Sequence, residues 1–134
     1  MTLKFLRAGF VALAMISGPF ALTAHAQDEK IYPINEVTNP PKLSSEENAS
    51  KLILASYPED LKRRHIGGVV ELQFVVDSKG NVDASSVEIV ETTQTVLGEA
   101  AKRVVARLTF APGKLNGTCV KTRVILPIVY KVAS

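Results

Sequence analysis

From Thr118 to Val132 the sequence alternates with a period of two. Val120, Thr122, Val124, Leu126, Ile128, Tyr130 and Val132 fall on one face. Cys119, Lys121, Arg123, Ile125, Pro127 and Lys131 fall on the other. One apolar face at this period describes a long β-strand half buried against a core. Pro127 constrains it further, because a residue without an N–H cannot serve both ladders of a central strand. The strand is therefore expected at a sheet edge.

The elements before it can be read in the same way. Residues 27–43 carry Pro33 and the pair Pro40-Pro41 and show little periodicity, so an extended lead-in is expected there. Ser44 and Glu47 have the spacing of a capping box, and Ala49, Leu52 and Ile53 follow as an apolar stripe. Pro58 ends that helix and opens a shorter one, Glu59 to Arg64, with acids first and bases last. At Gly68 the period becomes two. Val70, Leu72, Phe74 and Val76 mark a strand, and Asp77 to Asn81 a turn with Gly80 free to take positive φ. A second strand is expected over Val82–Thr92, with a bulge at Ser85-Ser86 where the alternation slips. Leu97, Ala100, Ala101, Val104 and Leu108 recur at helical spacing behind Thr93 or Thr95 as cap, and Ala111-Pro112-Gly113 breaks the pattern.

Helix, strand, strand, helix, strand leaves few topologies. A hairpin followed by a right-handed crossover puts the last strand antiparallel to the first, in the order second, first, third. The expected fold is α+β: a two-layer sandwich with a small antiparallel three-stranded sheet and helices on one face.

The chain has 134 residues, 16 Lys plus Arg against 13 Asp plus Glu, and a net charge of +3. Two of those bases, Lys4 and Arg7, fall within residues 1–26, which hold no acid. That segment has a basic start, an apolar run from Ala8 to about Leu22, and small residues at Ala24 and Ala26. These are the parts of a cleaved export signal, with Gln27 as the new N-terminus. The run is shorter than the ~20 residues that span a bilayer, although an uncleaved inner-membrane anchor is the rival. The remainder is nearly neutral, which removes the electrostatic case for nucleic acid. The expected organisation is signal peptide 1–26, lead-in 27–43 and one domain 44–134, placed in the periplasm.

Tyr57-Pro58, the run Gly68–Asp77 with Gly80, and Glu99-Ala100-Ala101 carry a family resemblance. So do Phe110-Ala111-Pro112-Gly113-Lys114, Asn116-Gly117 and Leu126-Pro127-Ile128-Val129-Tyr130. In this order and spacing they resemble the TonB C-terminal domain over roughly residues 40–132. The resemblance implies helices on one side of a small antiparallel sheet. It also implies a protein or peptide partner, such as a TonB-dependent outer-membrane receptor, whose extended segment adds to the sheet edge. That edge would be Arg123, Val124, Ile125, Leu126, Ile128, Val129 and Tyr130. Three departures separate the chain from a full energy transducer. Ser17 is followed four positions on by Ala21, with His25 eight away, where a transducer's anchor has Ser and His four apart. The lead-in reaches only about 60 Å fully extended, short of a periplasm-crossing spacer. Leu108 stands where the family often has Trp.

No enzymatic constellation emerges. His65 and Cys119 are the only His and Cys after residue 26, with no third group to orient the imidazole, and two ligands cannot hold zinc. Asp77, Asn81, Asp83 and Glu88 imitate part of a calcium loop, but Lys79 and Val82 occupy positions that need a ligand and a glycine, so a plain turn is expected. Lys62-Arg63-Arg64 reads as a solvated helix end. No metal or cofactor is expected. Self-association, through the edge strand or a disulfide between two copies at Cys119, is the remaining alternative to peptide binding.

Overall fold

The computed structural model describes residues 30–132. The expected export signal and its cleavage site lie outside the described residues. Among the described residues no helix is long and apolar enough to cross a membrane.

Strand β3 (Gly68–Val76) and the last strand, β7 (Thr118–Tyr130), pair antiparallel along nine residues, from Gly68 opposite Tyr130 to Val76 opposite Thr122. β4 (Glu88–Thr92) pairs antiparallel on the other side of β3. This gives the expected order, β4-β3-β7. The helices α1 (Glu46–Ser56), α2 (Glu59–Arg63) and α3 (Thr95–Val105) supply the second layer. The period-two pattern of β3 is a burial pattern: Val70, Leu72, Phe74 and Val76 are fully enclosed. They meet Leu97, Ala100, Ala101, Val104 and Val105 from α3, and Val124, Ile128 and Tyr130 from β7. Each large side chain so enclosed contributes about 1.5–3 kcal/mol. α1 is anchored more thinly, with Ala49 its one buried residue and Leu54 60% exposed.

The hairpin turn is fixed by side-chain capping. The Asp77 carboxylate accepts from the N–H groups of Lys79 and Asn81, both at 2.9 Å. Gly80 has φ of 91° and its carbonyl accepts from the Phe110 N–H at 2.8 Å. A Cβ at Gly80 would run into the Phe110 carbonyl, so both backbone angle and space require glycine.

Several local expectations are corrected. The second strand starts at Glu88, not Val82: Asp83 caps a 3-10 turn over Ala84–Ser86, and that turn produces the slip at Ser85-Ser86. The bulge lies further on. Glu91 stands opposite Glu71 and Ile89 opposite Leu72, leaving Val90 as the extra residue. α1 is capped by Ser45, whose hydroxyl accepts from the Asn48 N–H at 3.1 Å. The Ser44 N–H instead donates to the Thr109 carbonyl. Neither Thr93 nor Thr95 caps α3. Gln94 holds the cap position, while the Thr93 hydroxyl accepts from the Val69 N–H and the Thr92 hydroxyl donates to the Gln94 carbonyl.

The sheet also has more strands than three. β1 (Ile31–Pro33) adds parallel to β7 at Lys121–Arg123, and β6 (Gly113–Leu115) pairs antiparallel with Thr118–Val120. β2 (Lys42–Leu43) and β5 (Phe110–Ala111) make a separate two-stranded ladder. The lead-in is thus paired at Ile31–Pro33 and again at Lys42–Leu43. These pieces of two or three residues are too short to show a period, and tertiary pairing holds them rather than their own pattern.

Candidate functional site: the open edge of the last strand

Hydrogen bonds at β4 determine which backbone groups of β7 are free. The Val69 N–H donates to the Thr93 hydroxyl at 3.0 Å, and the Val69 carbonyl accepts from the Thr93 N–H at 3.1 Å. The Val75 N–H donates to Ser86 Oγ at 2.8 Å, and its carbonyl accepts from the Asp83 N–H at 2.9 Å. Odd-numbered residues of β3 therefore turn their backbone toward β4, and even-numbered ones toward β7. Val70, Leu72, Phe74 and Val76 stand opposite Ile128, Leu126, Val124 and Thr122. Directly opposed antiparallel residues exchange both hydrogen bonds or neither. Even-numbered residues of β7 are then engaged with β3, and Arg123, Ile125, Pro127 and Val129 direct theirs outward.

β1 covers this outward side only as far as Arg123, opposite Pro33. After Pro33 the chain enters a 3-10 turn, Ile34–Glu36, and leaves the edge. From Ile125 to Val129 no strand pairs outward among the described residues. Pro127 sits midway along this stretch. Its missing N–H is on the open side, so the edge offers donors at Ile125 and Val129 and carbonyls at all three odd positions.

The seven expected edge residues divide by parity. Val124, Ile128 and Tyr130 are buried and Leu126 is partly buried, all on the helix side. Ile125 and Val129 are 54% and 52% exposed on the opposite face, with Val69, 42% exposed, directly across from Val129. Arg123 is exposed but lies under β1's pairing. Tyr130 is an anchor. Its ring meets Tyr57 edge-on at 5.3 Å and its hydroxyl lies 2.9 Å from Ser56 Oγ. Burial raises its pKa above 10.0, opposed by the Ser56 hydrogen bond and by Arg103.

At the point where β1 leaves the edge, Pro33, Ile34, Asn35, Gln73, Arg123 and Ile125 enclose a shallow, mainly apolar notch of about 240 Å³. Sequence reasoning missed its Pro33–Asn35 wall, because a three-residue strand and a one-turn helix have no periodicity. The β-favouring pair Ile31-Tyr32 before Pro33 is the one local signal.

The other candidate groups are not brought together. Cys119 is exposed near the start of β7, opposite Lys114. His65 follows α2 with φ of 58°, at the other end of that strand, three residues before Gly68 pairs with Tyr130. Asp77 is engaged in its turn. Among the described residues no three His, Cys, Asp or Glu are placed to hold a metal ion.

No curated protein sequence matches the chain significantly. Among solved structures it is similar to the solution NMR structure of the Pseudomonas aeruginosa TonB C-terminal domain. That match has a TM-score of 0.50 at 22% identity, over 58% of this chain and 78% of the other. A Helicobacter pylori TonB C-terminal domain (residues 194–285) matches with a TM-score of 0.48 at 22% identity, over 68% of this chain and 99% of the other. The family model described as Gram-negative bacterial TonB protein C-terminal matches residues 54–132. With that match spanning more than half of its length, from the end of α1 through β7, the chain belongs to the TonB C-terminal family.

Proposed function

We propose that the protein is an exported, periplasmic binding module, not an enzyme, that takes an extended segment of a partner protein onto the edge of β7. The partner is an outer-membrane receptor of TonB-linked transport or another envelope protein. One observation carries the reading. Between Ile125 and Val129 the outward backbone groups of a long strand have no strand partner among the described residues, and exposed aliphatic side chains flank them. Strand addition draws its affinity from such main-chain groups and its specificity from alternate side chains. Family membership supports the class of partner, since the family interacts with outer-membrane receptors in TonB-dependent transport.

Titration of isotopically labelled protein with receptor-derived peptides is expected to move the amides of Ile125 and Val129 most. Saturation with changes only elsewhere would remove the edge from consideration. The intact mass of the exported protein is expected to correspond to a start at Gln27. A mass that retains residues 1–26 would mean an anchored form.

A further inference from the structure

We propose that the groove between α1 and α3 is a second docking surface, for an acidic segment of a partner protein. The groove has a volume of about 430 Å³ and is lined by Leu52, Ala55 and Ser56 from α1 and by Arg103, Val104 and Arg107 from α3 and the turn that follows it. It lies in the helix layer, so it is a different surface from the outward edge of β7.

Arg103 is in the last turn of α3. The Arg107 N–H donates to the Val104 carbonyl at 2.9 Å, which continues the turn past the helix end and sets the two arginines four positions apart on one side. Neither guanidinium has a carboxylate partner among the described residues. Ion pairs among the described residues join Lys51 to Glu47, Lys62 to Glu59, and Arg63 and Arg64 to Asp60, on α1, α2 and the residue after α2. Glu99, one turn before Arg103, pairs with neither. Bases at a helix C-terminus balance the helix dipole. That does not explain why both open onto an apolar floor of Leu52, Ala55 and Val104 instead of onto an acid.

The polar groups at the floor are neutral. Ser56 donates to the Ile53 carbonyl at 2.7 Å, so its oxygen is left to accept from the Tyr130 hydroxyl. This chain ends on a neutral phenol and brings no negative charge. An entering carboxylate would meet two guanidiniums in the bidentate geometry that arginine offers, with no acid among the described residues already paired to them. An aliphatic neighbour in the same segment would cover Leu52, Ala55 and Val104. The occupant is thus an acidic segment with alternating apolar residues.

The probe is an acetylated, amidated hexapeptide of alternating Glu and Leu, with a Gln–Leu hexapeptide as its uncharged counterpart. Titrated into labelled protein, the Glu peptide is expected to move the amides of Ser56, Arg103 and Arg107, and the effect should vanish near ~1 M salt, where exposed charges are screened within about 3 Å. The Gln peptide should bind at least tenfold more weakly. The double variant R103Q/R107Q, at two exposed positions, should lose at least tenfold in affinity for the Glu peptide with an unchanged melting temperature. Equal binding of both peptides to the wild-type protein overturns the proposal, as do shifts confined to Ile125–Val129 or no shift at all. The two-peptide comparison decides even if the double variant folds poorly.

Discussion

β4 and, beyond the short cover of β1, β7 form the two flanks of the same sheet, yet they are built differently. β4 has five residues, carries the Val90 bulge and presents Glu88 and Glu91. A short, bulged and charged strand is a poor template for another strand. β7 has 13 residues, continues past its β1 cover, and presents Ile125 and Val129 on either side of Pro127. Beyond that cover its protective device is the proline, which removes one donor without closing the edge. The difference teaches where strand addition is blocked and where it is only attenuated. On β4 charge and irregularity act together. On β7 a weakened ladder remains open to a further strand.

The largest expected effect tests what both flanks depend on. Phe74→Ala empties a fully enclosed site in the shared central strand and should cost about 3–5 kcal/mol in denaturant unfolding. If only one flank lost amide protection in this variant, the two would not share a core.

Next comes conversion of one edge into the other. Ile125→Glu with Val129→Glu gives β7 the surface of β4. Binding of an edge peptide, followed by fluorescence anisotropy, should fall at least tenfold. Both positions are more than half exposed, so unfolding should shift by no more than about 0.5 kcal/mol per substitution. Unchanged binding would mean that the exposed side chains play no part.

Pro127→Val restores the missing outward donor. One added hydrogen bond is worth about 0.5–1.5 kcal/mol, so peptide affinity should rise roughly two- to twelvefold. The variant should also self-associate at concentrations where the wild-type protein does not, as read by sedimentation. Weaker binding would place the proline N–H position on the β3 side.

The smallest effect concerns β4. Glu71 and Glu91 stand directly opposite each other, and like charges so placed are unfavourable. Glu91→Lys should therefore stabilise the fold by about 0.2–1 kcal/mol in low salt and by less in high salt. A salt-independent change would show that the two carboxylates do not interact.

Much of this contrast was legible in the sequence. The alternation of Val70, Leu72, Phe74 and Val76 is imposed by burial against α3, so it located β3 and its face. Pro127 marked β7 as an edge strand. The side on which its N–H is missing was not legible, because it depends on pairing parity, and that is fixed by the distant contacts Val69–Thr93 and Val75–Ser86. β1 and β6 show no period, and only the pair Ile31-Tyr32 hints at β1, because strands this short owe their extended form to β7. The slip of the pattern at Ser85-Ser86 comes from a 3-10 turn, not from a bulge. The true bulge at Val90 lies near the end of the expected strand, where Val87 and Ile89 make too short an alternation for the break at Val90-Glu91 to stand out. Of the notch beside the edge, Arg123 and Ile125 were accessible from the strand pattern, whereas Ile34 and Asn35 arrive through a crossing of the lead-in that no local signal announces.

Hydrogen–deuterium exchange resolved at single amides along β7, with and without bound edge peptide, addresses the central claim most directly. In the free protein the N–H groups of Val124, Leu126 and Ile128 should exchange slowly and those of Ile125 and Val129 quickly. Saturation with peptide should slow Ile125 and Val129 and leave the even-numbered positions as they were. Slow exchange at Ile125 and Val129 in the free protein, or no change there with peptide bound, would contradict an open edge as the binding site.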